Sequence, residues 1–304
     1  MQNLVVLVVV GLFAQLVDGA LGMAYGATSA TLVLAAGYAP ATASASVHLA
    51  ELGTTAVSAY SHRRFGNVDW RTVRGIGIPG AIGAFIGAMI LSSISADIAK
   101  PWMAGILLAL GIYVLLRFTL GRDPRPRGRS YVRGRYLAPL GLGAGLIDAT
   151  GGGGWGPVST PTLLATGKME PRKVVGSVDT SEFLVAVAAS IGFLIGLGSQ
   201  GVKPAIVLPL LAGGIVAAPV AAWLVQLLTP RILGAAVGGL ILLTNARTMA
   251  DAFEARGEVR NPVYLAIVVV WVAAVSFVVY RHRRAGLPLT NRGPSREALT
   301  EPAS

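Results

Sequence analysis

Apolar residues fill most of the chain from residue 4 to 281, and polar residues interrupt them in a regular way. The runs 41–61, 75–94, 100–118, 173–198, 204–228, 231–250 and 262–280 each approach or exceed the about 20 residues a helix needs to cross a bilayer. Two other runs, 4–36 and 136–166, are broken inside. The stronger break is Asp148-Ala-Thr-Gly-Gly-Gly-Gly-Trp-Gly-Pro157, and the weaker is Asp18-Gly-Ala-Leu-Gly-Met-Ala-Tyr-Gly26. Glycine clusters and proline end helices. In lipid, irregular backbone and an acidic side chain need protein or a water-filled cavity around them. Both breaks are therefore expected to wall one central site. The pieces 4–17 and 23–36 hold 14 residues each, about 21 Å of helix against a hydrocarbon core of about 30 Å, too short to span.

The two broken runs head two related halves. At an offset of 130, Gly11, Ala14, Asp18, Gly22, Gly26, Ser29 and Gly37 meet identical residues at Gly141, Ala144, Asp148, Gly152, Gly156, Ser159 and Gly167. One residue later in register, Ser46, Val47 and Glu51 meet Ser177, Val178 and Glu182. Apolar bias explains matched glycines and alanines; it does not explain the matched acids. The expected organisation is a first repeat at 1–120, a basic linker at 121–135, a second repeat at 136–250, an added helix at 251–281 and a polar tail at 282–304.

Charge then orients the repeats. If each broken run is a hairpin and the N-terminus lies outside, the inside segments carry 20 of the 25 Lys and Arg. If each broken run crosses once, the split is 15 to 10. The positive-inside rule favours the hairpins, which makes the repeats inverted. The expected fold is an all-α polytopic membrane protein with two inverted repeats, each starting with a broken helix or helical hairpin, and about seven full spans besides the two broken elements. The linker and tail then face the cytoplasm, with the protein in the cell membrane. The net charge of +11 belongs to these loops, so nucleic acid is not an expected partner. With 13% charged residues, the chain falls well below the about 25% of soluble domains. The absence of cysteine excludes disulfides and thiolate chemistry. No basic n-region or cleavage site marks the first residues, so no cleaved signal peptide is expected.

The candidate chemistry lies at the breaks and on the helices after them. Half-helix N-termini inside a membrane offer free N–H groups that suit an anion. Gly22, Gly152, Gly153 and Gly154 would let a ligand approach the backbone, and Tyr25 and Trp155 correspond across the repeats as cavity walls. Close helix packing through Gly22/Gly26 and Gly152/Gly156 is the competing explanation. Helix 41–61 carries a polar stripe of Ser44, His48, Glu51, Thr55 and Ser58. His48 and Glu51, three residues apart, suit proton exchange. Glu182 is the partner of Glu51, and the matched Ser46 and Ser177 are substrate-binding candidates. Asp18 and Asp148 either bind a proton or cation or cap the half-helices that follow. The GxGxxG match at 151–156 lacks the βαβ context of a dinucleotide site. No hydrolase motif or metal-ligand cluster appears, and no cofactor or metal is expected.

Gly141, Gly145, Gly151–Gly154 and Pro161, with the loop Phe65-Gly-Asn-Val-Asp-Trp-Arg71, resemble the TauE/SafE family, the sulfite exporter or probable membrane transporter family. The likeness covers roughly residues 8–250. In the first half, Leu21-Gly-Met-Ala-Tyr25 replaces the glycine cluster and Thr31 the proline. The resemblance implies export of small sulfur-containing anions such as sulfite, sulfoacetate or related sulfonates. The expected activity is secondary transport of a small anion. The competing readings are a membrane-embedded enzyme on a lipid or sulfur substrate and a passive channel. The expected partners are that anion and the lipid bilayer, and a homodimer is compatible with the sequence.

Overall fold

A computed structural model describes residues 2–21, 23, 25–64, 66–121, 132–169, 171–201, 203–224, 230–255 and 257–284. All regular structure among them is helical. The first half runs α1 (Gln2–Leu21), α2 (Tyr25–Ala35), α3 (Pro40–Arg64), α4 (Trp70–Ser93) and α5 (Ala96–Leu120). The second runs α6 (Gly134–Gly151), α7 (Trp155–Ala165), α8 (Pro171–Gly201), α9 (Pro204–Leu224) and α10 (Pro230–Ala252), and α11 (Gly257–Arg284) follows. Most of the predicted linker and tail, and Gly22, lie outside the described residues.

Among the described residues, four helical stretches are long and apolar enough to cross a membrane: Trp70–Ser93, Ala96–Leu120, Lys173–Gly198 and Glu258–Arg284. The seven expected crossings included α3 and α10, which have 25 and 23 residues but carry polar side chains that lower their hydropathy. Shorter apolar stretches lie in α1, α2 and α9. The first break also differs from expectation. α1 continues unbroken through Asp18 to Leu21, making 20 residues, about 30 Å of helix. The chain leaves the helix after the acid, because the Asp18 carboxylate is used from the last turn (below).

Bare backbone sets the helix contacts, as expected where lipid is as apolar as a side chain and close packing must hold helices together. α1 packs on α9, and α6 on α4. A β-carbon at Gly11 of α1 would collide with the Leu210 carbonyl of α9, and one at Gly141 of α6 with the Ile76 carbonyl of α4. α3 packs on α8, and α5 on α10. The buried apolar side chains divide into two main clusters. One contains Val10, Ala30, Met103 and Leu210, and the other Ile76, Ala144, Trp155 and Phe193. α11 packs chiefly on α10 and α5.

The loop before α4 is pinned twice. Asp69 Oδ1 accepts from Thr72 N at 2.7 Å and caps the helix. Asp69 N donates to Ser177 Oγ of α8 at 2.8 Å. Asp69→Ala is expected to lower stability by about 0.5–2 kcal/mol, read as the thermal unfolding midpoint of the detergent-purified protein. An unchanged midpoint would show the cap to be idle.

Candidate functional site

Each break is closed by its own aspartate. Tyr25 N donates to Asp18 Oδ1 at 3.2 Å, and Trp155 N to Asp148 Oδ1 at 3.0 Å. Both bonds span seven residues and satisfy the first orphan N–H of a half-helix. Both acids thus cap the half-helix that follows, and those two N–H groups are not free for an anion. After α6, Gly152 takes a left-handed conformation (φ 73°) and Gly153 N donates to Asp148 O at 2.9 Å.

The two breaks touch. A β-carbon at Gly26 would stand 2.8 Å from Gly153 Cα and 2.9 Å from Glu51 Oε1, and one at Gly153 would collide with the Gly26–Ala27 backbone. Beside this contact lies a polar recess with about 240 Å³ of empty space, part of it open to solvent. Four carboxyl groups line it: Asp18 of α1, Glu51 of α3, and Asp179 and Glu182 of α8. Gln15, Tyr25, Thr54, Thr55 and Ser58 complete the wall. Its centre has room for about one water molecule. Glu51 is 2% exposed, and its Oε1 has no hydrogen-bond partner. A buried unpaired acceptor is costly, so this oxygen is available to a proton or a guest.

His48 is used elsewhere. Its Nε2 lies 3.1 Å from Asp148 Oδ2, and its Nδ1 lies 2.8 Å from the Ser44 carbonyl. A carbonyl only accepts, so Nδ1 carries a proton. A second proton lies between Nε2 and the carboxylate, and the pair is neutral whichever atom holds it. Ser44 Oγ donates to Ala149 O at 2.7 Å and ties α3 to α6 beside this pair. Phe193 closes over the His48 ring, with centroids 5.9 Å apart.

Of the residues singled out in the sequence, the recess gathers Asp18, Tyr25, Glu51, Thr55, Ser58 and Glu182. The remaining candidates lie elsewhere. Ser46 Oγ donates to Thr42 O of its own helix at 2.7 Å. Ser177 holds the loop before α4. Trp155 is fully buried, donates from Nε1 to Val178 O at 3.0 Å and presses against Gly80. Gly152 and Gly153 shape the contact between breaks, and Gly154 begins α7. Gln15 and Thr54 were missed: neither has a polar partner in the other half. Asp179, which stands against His48 at a shift of 131 residues, was not singled out either.

The comparisons with known proteins place the chain among membrane transporters rather than enzymes. The chain belongs to the family described as Sulfite exporter TauE/SafE, whose model matches residues 7–248. It is 53% identical over 280 residues to a Bacillus subtilis (strain 168) protein named "Probable membrane transporter protein YtnM", covering 92% of this chain and 93% of that one. A second protein of that organism, "Probable membrane transporter protein YdhB", is 29% identical over 204 residues, covering 64% of this chain and 82% of its own. No solved structure gives a significant match.

Proposed function

We propose that the protein is a secondary transporter in the cell membrane that moves a small anion, such as sulfite, a sulfonate or another organic anion, together with protons. The carrying observation is the recess beside the Gly26–Gly153 contact, with the unpartnered Glu51 Oε1 in its wall. A carboxylate only accepts hydrogen bonds, whereas a carboxylic acid also donates. An anion meeting four carboxylates is repelled; the same anion meeting protonated carboxyl groups finds donors. The hydroxyls of Tyr25, Thr54, Thr55 and Ser58 already donate to the Leu210 carbonyl, the Glu51 carbonyl and Asp179, so the carboxyl groups are the donors left for the anion. Anion loading and proton loading therefore favour each other, and net direction follows the summed gradients of both. The family's description as exporters supports outward movement of the anion.

The reciprocal packing of α1 on α9 and α6 on α4 supports reading 1–120 and 136–250 as inverted repeats that rock about the shared breaks. The basic distribution supports a cytoplasmic linker at 121–135 and tail at 282–304, with 251–281 as an added span.

In proteoliposomes, labelled sulfite and methanesulfonate should accumulate along an imposed pH gradient and show saturable counterflow. Glutamine is a permanent donor, so Glu51→Gln is expected to lower gradient-driven accumulation by about tenfold while keeping counterflow, the size of an ordinary coupling between two ligands. Unaltered pH dependence would remove Glu51 from coupling. Conductance without counterflow would make the protein a channel.

A further inference from the structure

We propose that His62 of α3 and Asp179 of α8 form a one-sided proton relay that links the recess to the aqueous face beside Arg63 and Arg64. This deepens the coupled-transport reading and rests on it for its purpose.

The groups lie in series, with His62 and Asp179 at ion-pair rather than hydrogen-bond distance. His62 Nε2 lies 3.6 Å from Asp179 Oδ2, the His62 side chain is 26% exposed, and Asp179 lines the recess. Ser58 Oγ donates to the same Asp179 oxygen. From the other elements, Asp18 of α1 faces Asp179 across the recess, Glu182 lies one turn further along α8, and Asn67 of the following loop packs beside the ring. Gly176 makes room for the ring, since a β-carbon there would stand 3.0 Å from His62 Nδ1. That Nδ1 is buried and without a partner, so no bond locks the imidazole in this orientation.

The step balances simply. An imidazolium at His62 gives its Nε2 proton to the Asp179 carboxylate, becomes neutral imidazole, and is reprotonated from water when the ring turns outward. Asp179 then passes the proton to Asp18 or Glu182 within the recess. Histidine suits the task because its ring can both accept and donate a proton.

The other half shows why the relay is one-sided. A shift of 131 residues carries Ser58 to Ala189, His62 to Phe193 and, in the reverse direction, Asp179 to His48; a shift of 130 carries Asp18 to Asp148. Thr54 and Thr55 fall on Val185 and Ala186. Val185, Ala186, Ala189 and Phe193 are all fully buried. What is a hydroxyl, an imidazole and two acids on one arm is an apolar plug and a neutral His–Asp pair on the other.

The test needs no substrate. Protein in nanodiscs receives an acid step, and the infrared carboxyl band of the recess, assigned by its loss in Asp179→Asn, is followed in time. His62→Gln is expected to slow growth of that band by at least about tenfold, the low end of what a positioned acid–base group contributes, and to leave its final amplitude unchanged. His62→Ala should be slowed likewise and restored by added imidazole. Wild-type kinetics in both variants would overturn the relay. A reduced amplitude that imidazole does not restore would also overturn it, by showing His62 to be structural. Neither result touches anion counterflow, so failure here is distinct from failure of the transport reading.

Discussion

Gly153→Leu is expected to abolish transport while the chain still inserts in the membrane. A β-carbon at this position collides with backbone of Gly26 and Ala27, atoms that cannot turn aside as the end of a side chain can. Relief requires the two breaks to separate, which enlarges or disorders the wall that holds Glu51 beside Gly26. Overpacking of this kind costs about 1–3 kcal/mol or more, and displacement of a site by about 1 Å lowers rates by about a hundredfold. The matched control is Gly143→Leu, since nothing lies within 4 Å of a β-carbon there. Initial flux in proteoliposomes decides the matter, with insertion followed by labelling of single cysteines placed in the cysteine-free chain. Normal flux in Gly153→Leu would refute close contact between the breaks.

Asp148→Ala is expected to destabilise the protein far more than Asp18→Ala, although both remove the same cap. Loss of the acceptor for a half-helix N–H costs about 0.5–2 kcal/mol at either site. Asp148 also partners His48, and both side chains are buried, at 2% and 0% exposure. Breaking a buried pair by removing one member costs about 3–5 kcal/mol. Asp148→Asn should recover most of the loss: its amide oxygen accepts from Trp155 N, and its NH₂ donates to a neutral His48 Nε2. Denaturation midpoints of the three variants in detergent test the order. Equal losses in Asp148→Ala and Asp18→Ala would mean that the His48 contact contributes nothing.

The breaks were legible because glycine, acid and aromatic together have few uses inside an apolar run. That they wall one site was expected from the cost of acid and irregular backbone in lipid, and the family was read from Gly151–Gly154 and the Gly66–Arg71 loop. Helix ends were less legible, since Asp18 and Asp148 act from the last turn of one helix on the first turn of the next, and sequence alone does not say on which side of the break an acid stands. Matched residues misled in one respect. Ser46 and Ser177 agree across the halves, yet one bonds to its own helix and the other to a loop. The recess joins matched acids, Asp18, Glu51 and Glu182, to positions that disagree: Gln15 against Gly145, Thr54 against Val185, Ser58 against Ala189 and Asp179 against His48. A search for mismatched polar residues would have found Gln15 and Thr54.

α11 has only 11% of its apolar window buried, and its Trp271 ring sits against Gly239 of α10. Val263, Leu265, Val269, Val270, Val272 and Phe277 remain uncovered along it. The family match ends at residue 248, before this helix begins. No described residue of α11 lines the recess, so the carboxyl groups owe none of their walls to this helix, whose apolar outer face is left without a cover.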